Sequence, residues 1–142
     1  MRWVTRERPK IDRIACPWLI QKYIDPQAEF LYVPKDDVLK IAQEKDAIPY
    51  DVSGVELTHD GPNCSFDAII KKYQIKDPVV LSLAKIVRAA DTDSLENSAQ
   101  ALGLLAITKG LSANILNDHE MLKIGMVLYD ALYTWCKNQT TN

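Results

Sequence analysis

The residue types best suited to chemistry sit in one short stretch, Glu56-Leu-Thr-His59-Asp-Gly-Pro-Asn-Cys64. Glu56 and His59 are three positions apart, so one helical turn would put a carboxylate and an imidazole on the same side. Metal sites in helix bundles use that spacing. The pattern is short, and the same residues also read as an ordinary loop in which Asp60-Gly61-Pro62 turns the chain. A second carboxylate, Asp91, follows Val80, Ala84 and Val87 along an apolar stripe. A carboxylate on such a stripe needs an Arg, Lys, His or metal partner, unless it marks a solvated helix end. Together Glu56, His59 and Asp91 would offer two carboxylates and one imidazole to a divalent ion such as Mn, Fe or Zn. Such an ion would keep positions open for water or a ligand. His59 must be neutral to ligate, so binding should weaken in acid.

Cations gather near these groups. Residues 1–13 carry Arg2, Arg6, Arg8, Lys10 and Arg13 against Glu7 and Asp12, and Arg88 lies one turn before Asp91. Arg6, Lys10, Arg13 and Arg88 could give charge-assisted hydrogen bonds to a small oxyanion. Cys16 precedes Pro17, which permits two readings. In one, the helix restarts with Cys16 as N-cap and Pro17 in its first position, giving a reactive thiol. In the other, the helix is kinked and Cys16 packs as a small hydrophobe. Cys16, Cys64 and Asp12 are candidates for redox or supporting roles. Cys136 sits on the apolar stripe of the last helix, and His119 falls at that helix's solvated start. The expectation is that Asp12, Arg13, Glu56, His59, Arg88 and Asp91 converge in one pocket.

The elements that must position these residues follow from periodicity. Residues 3–5 and 30–33 are β-prone, and residues 47–51 form a weak strand that Pro49 confines to an edge. Residues 11–24 read as a helix stopped by Asp25-Pro26. A short helix follows Asp36. Residues 53–63 have no period and read as a long loop, the kind that often carries function. Residues 66–73 form a short helix. Asp77-Pro78 starts the next one, which runs to about Asp91. Another begins at Asp93 or Ser94 and ends at Lys109, with Gly110 as a left-handed cap. Asn117-x-x-Glu120 resembles a capping box for the last helix. The fold class read from this is α+β. A small sheet with helices occupies the N-terminal half, and a helical bundle the C-terminal half.

Composition bounds the function. The chain has 142 residues, 47% of them hydrophobic, with a net charge of −2. That suits one domain over 1–142 with its own core and excludes disorder. Its apolar runs are far shorter than the ~18 residues of a membrane span, so no membrane role is expected. A near-neutral chain is a poor non-specific nucleic-acid binder. Three widely spaced Cys with no CxxC pair argue against a disulfide framework or a closed Cys-zinc site. The N-terminus lacks the apolar core of a signal peptide, so a cytoplasmic location is expected.

Thr5-Arg6, Pro9-Lys-Ile-Asp-Arg-Ile-Ala-Cys-Pro-Trp-Leu-Ile20, Ile24-Asp-Pro26 and residues 30–34 resemble the signature of the chromate-resistance (ChrB-type C-terminal) domain family. The resemblance continues through Ala47-Ile-Pro-Tyr-Asp51, Glu56-Leu-Thr-His59, Gly61, Cys64-Ser-Phe-Asp67, Ile86-Val-Arg88, Asp91 and Tyr129-Asp-Ala-Leu-Tyr133. It implies a bacterial cytoplasmic domain linked to chromate sensing or resistance and to oxidative stress. Relatives often carry an extra N-terminal region or a rhodanese-like domain, so a homo-oligomer or a rhodanese-like or regulatory partner is conceivable. Three readings stay open: a metal- or oxyanion-binding domain, a metal-dependent hydrolase or redox enzyme, and a structural or partner-binding module in which the polar cluster is an ion-pair network.

Overall fold

Trp3 and Val4 are neighbours on one strand, point to opposite faces, and are both fully buried. A strand buried on both sides is the middle of a covered parallel sheet. The computed structural model describes residues 1–140 and shows that arrangement. Strand β1 (Arg2–Arg6) lies between β2 (Glu29–Val33) and β3 (Ala47–Pro49), in the order β2-β1-β3. Both pairings are parallel, with Trp3 opposite Phe30 and Ile48. Pro49 has no N–H for a ladder and sits on the edge strand, as its sequence requires.

Parallel neighbours need crossovers, and helices supply them. Helix α1 (Ile11–Tyr23) links β1 to β2 and shares the main core with Trp3. Helix α2 (Val38–Glu44) links β2 to β3, and its Val38 packs on the other face with Val4, Ala47 and Val52. Four more helices complete the α+β fold: α3 (Ser65–Lys72), α4 (Pro78–Asp91), α5 (Ala101–Asn114) and α6 (Asp118–Thr140). Asp77 caps α4 by accepting the Val79 N–H at 2.8 Å, and Asn117 caps α6 by accepting those of His119 and Glu120. Among the described residues no helix is long and apolar enough to cross a membrane.

One local expectation is corrected, and of two alternatives at Cys16-Pro17 the structure shows Cys16 packed in the core. The helix expected from residue 93 or 94 to Lys109 is a 3-10 turn at Leu95–Asn97 followed by α5, which runs through Gly110 to Asn114. Its buried positions, Ala101, Leu104, Thr108 and Ser112, continue at helical spacing past the glycine, so tertiary packing overrides the stop signal. At Pro17, α1 neither restarts nor takes Cys16 as its cap. Pro17 lacks the N–H that would bond the Arg13 carbonyl. The Tyr32 hydroxyl, arriving from β2, donates to that carbonyl instead at 2.8 Å. The orphaned acceptor is satisfied and the helix continues.

Candidate functional site

In parallel sheets, ligands bind beyond the carboxyl ends of the strands. Here those ends bring together Arg6, the last residue of β1, and Asp51, two residues past β3. The segment after β1 leads into α1, whose second and third residues are Asp12 and Arg13. Asp91 is the last residue of α4, and His59 comes from the loop between β3 and α3. These groups line a cavity of about 200 Å³ together with Lys10 and Ile11.

Asp12 and Asp91 are fixed by backbone they help to cap, and Asp51 by side chains. Asp12 is buried and accepts the N–H groups of Ser65 (2.7 Å) and Phe66 (3.4 Å), the first two residues of α3. Asp91 Oδ1 accepts the Asp12 N–H at 3.3 Å, which ties the end of α4 to the start of α1. Asp51 holds a left-handed backbone, with φ 52°, an uncommon conformation that Asp tolerates better than most residues. Its Oδ1 accepts from the Ser65 hydroxyl at 2.7 Å. Its Oδ2 takes Arg6 Nη2 at 3.3 Å and lies 3.7 Å from Arg13 Nη1. Its carbonyl accepts from Arg6 Nε at 3.1 Å.

The imidazole stands among them. His59 Nε2 is 2.8 Å from Asp91 Oδ2, 3.5 Å from Asp51 Oδ1 and 3.6 Å from Asp12 Oδ2. Crowding shows in the acidities. Burial, with Asp91 and Asp51 alongside, pushes the Asp12 carboxyl well above the ordinary range. Burial and the Asp51 charge raise Asp91. Burial and neighbouring Arg6 lower Arg13. One atom each from Asp12, His59 and Asp91 lies within 4.8 Å of the others, a group able to hold a metal ion. Adjacent ligands on an octahedral ion with bonds of ~2.1 Å are roughly 3 Å apart, a spacing that the His59–Asp91 pair has and the 3.6 Å His59–Asp12 pair exceeds.

The approach to the cavity is braced from outside. Arg8, also left-handed at φ 57°, donates its guanidinium to the Ser112, Ile115 and Leu116 carbonyls at the end of α5. Its N–H reaches Asp118 on α6, and its carbonyl accepts from Arg13 Nη2. Residues 7–10, and with them Lys10, are thereby held against the α5–α6 corner.

His59, Asp91, Asp12, Arg6, Lys10 and Arg13 come together; Glu56 and Arg88 do not join them. Residues 53–63 form turns rather than a helical turn, so Glu56 and His59 lose the common face their spacing offered. The Glu56 side chain is 70% exposed and pairs with Lys72 at 2.7 Å. It lines a larger cavity of about 410 Å³ that shares no residue with the first. Arg88 grips Asp67 with two bonds of 2.9 and 2.7 Å.

The thiols are free and buried. Burial pushes Cys16 and Cys64 far up, away from thiolate reactivity. Cys64 caps α3 and gives its S–H to Asp67 at 3.3 Å. Cys136 packs in the core, and exposed His119 lies edge-on to Tyr32. Asp51 was absent from the sequence candidates. Its signal was a carboxylate closing a short strand, which becomes legible only once that strand is known to be parallel to β1.

The family model described as "ChrB, C-terminal domain" matches residues 3–136. Protein ChrB of Cupriavidus metallidurans (strain ATCC 43123 / DSM 2839 / NBRC 102507 / CH34) is 34% identical over 134 residues, covering 93% of this chain. Those residues span 40% of that relative's length. No solved structure matches.

Proposed function

The chain belongs to the family of ChrB C-terminal domains, and on that premise we propose that it serves a chromate-resistance-related role as a small divalent-metal-binding domain. Asp12, His59 and Asp91 would be the protein ligands, a set of oxygen and imidazole donors suited to Mn, Fe or Zn. Glu56, expected from its spacing to His59, is not in this set. One observation carries the reading. His59 Nε2 has a single site for a proton or a metal, yet carboxylate oxygens from three elements surround it within 3.6 Å. One imidazole proton can serve only one of them well, whereas a cation can serve all. Arg6, Lys10 and Arg13 would supply the positive rim for an oxyanion at the ion's open positions. Three free thiols suit a reducing compartment, so the proposed setting is cytoplasmic.

A rival reading has its own observation. Asp51 pairs with both Arg6 and Arg13, so part of the cluster is already an ion-pair network. Elemental analysis of untagged protein separates the two. The metal reading expects Mn, Fe or Zn near one equivalent per chain in wild type and loss of that metal in His59→Ala. Metal-free protein that takes up none of the three ions on titration leaves the ion-pair network standing.

A further inference from the structure

A third cavity, of about 170 Å³, adjoins the one around Asp12, His59 and Asp91 and shares Arg6, Asp51 and His59 with it. Its lining adds Lys35, Ser53 and Thr58. Lys35, on the 3-10 turn after β2, has no ion pair through its ammonium group among the described residues. Two cations and two hydroxyls around a space of this size form a donor set for a small oxyanion. The only carboxylate in that lining is Asp51.

Of these donors, Asp51 keeps Arg6 occupied. Arg6 bonds both its carboxylate and its carbonyl. Around the Asp12–His59–Asp91 cluster Arg6, Lys10 and Arg13 are balanced by Asp12, Asp51 and Asp91, so with neutral His59 those groups add no net attraction for an anion and only Lys35 is left unopposed in the adjoining cavity. A divalent ion among the ligands would leave that region with two net positive charges. A bound cation is the largest local charge and reverses the local electrostatics. Asp51 Oδ1, 3.5 Å from His59 Nε2, would then face a stronger cation than either arginine.

We propose that the cavity lined by Arg6, Lys35, Ser53 and Thr58 is an oxyanion site switched on by the metal, with Asp51 as the gate that holds Arg6 until the ion competes for its carboxylate. This rests on the metal reading of Asp12, His59 and Asp91. It goes further by placing the anion beside Lys35 and making the two bindings interdependent. Coupling between sites is reciprocal, so the anion must tighten the metal by the factor with which the metal tightens the anion.

Calorimetric titration of sulfate into the full chain tests it, once with EDTA and once with saturating Mn²⁺, each corrected by a protein-free titration. Sulfate should bind at least about tenfold tighter with Mn²⁺, and Mn²⁺ should tighten by the same factor in saturating sulfate. Asp51→Asn should raise the sulfate affinity of the metal-free protein and shrink the coupling. Lys35→Ala, at an exposed turn, should weaken sulfate binding to the loaded protein while leaving Mn²⁺ affinity in sulfate-free buffer unchanged. Bound Mn²⁺ with sulfate indifferent to it would overturn the coupling alone. Coupled sulfate binding that ignores Lys35→Ala would overturn the cavity assignment. Failure to bind any divalent ion would overturn the metal reading and this proposal together.

Discussion

Asp12 caps α3 and, on the proposed function, would ligate the metal with the same carboxylate, so substitution there should strike both stability and binding. Asp12→Asn replaces an acceptor of two buried N–H groups by an amide that satisfies them less well. With EDTA present it should lose about 1–3 kcal/mol of unfolding free energy, measured by denaturant titration. His59→Ala separates the roles. The imidazole is 42% exposed and caps nothing, so the metal-free fold should keep its stability. Mn²⁺ affinity should fall by more than about 100-fold, beyond what the loss of a merely supporting group causes. Glu56→Gln should change neither quantity, since Glu56 is exposed and paired with Lys72, away from the cluster. A large loss of metal in Glu56→Gln would return that residue to the site. The sequence shows His59, Asp91 and the cations Arg6, Lys10 and Arg13 as chemistry-bearing types. It does not show that Asp12 outranks Glu56, because that depends on where α1 begins relative to α3. Nor does it show Asp51, whose importance comes from a strand end meeting a helix start.

At the scale of elements, α1 is held by two contacts that local propensity does not contain. The Tyr32 hydroxyl takes the carbonyl that Pro17 leaves without a donor. Tyr32→Phe should cost about 1–2 kcal/mol. In a Pro17→Ala background the cost should shrink, because residue 17 then has its own N–H for Arg13. Equal cost in both backgrounds, read from a double-mutant cycle of urea melts, would show that the hydroxyl does not replace the missing bond. Elsewhere along α1, α6 crosses so closely that a Cβ on Gly125 would overlap Ile14 Cγ2. Gly125→Ala should destabilise by about 1–3 kcal/mol, and Ile14→Ala should suppress part of that loss. Strands β1 and β2, the edge position of Pro49, α1 and the starts of α4 and α6 are legible from apolar spacing and caps. The extent of α5 is not. Its buried face carries Thr108 and Ser112 while Leu102 and Ile107 face outward, so neither hydrophobic pattern nor Gly110 marks its true boundaries.

For the whole molecule, the cluster links stability to protons and, on the proposed function, would link it to metal. Burial and like charges raise Asp12 and Asp91 in the folded chain. The folded protein therefore holds their protons more tightly than the unfolded one. Stability from this source is complete below the unfolded Asp value of about 3.9 and drains as pH rises through the raised folded values. Asp67 behaves oppositely. Burial works against its charge, but the Arg88 fork holds it below the ordinary range, so its contribution disappears only in stronger acid. Protein melted in EDTA should thus be most stable in the mildly acidic range and lose melting temperature toward neutral pH. Saturating Mn²⁺ or Zn²⁺ should cancel that fall at neutral pH, because an ion bound only by the folded state stabilises it and neutralises the crowded carboxylates. Asp91→Asn keeps the shape and the acceptor for the Asp12 N–H while removing one charge. Its metal-free form should melt at or above wild type at neutral pH, and its gain from added ion should shrink. If the cluster is only an ion-pair network, Asp91→Asn should lower the melting temperature by weakening the acceptor for His59, with or without metal. A wild-type melting temperature indifferent to chelator and to every divalent ion across this pH range would sink the metal site.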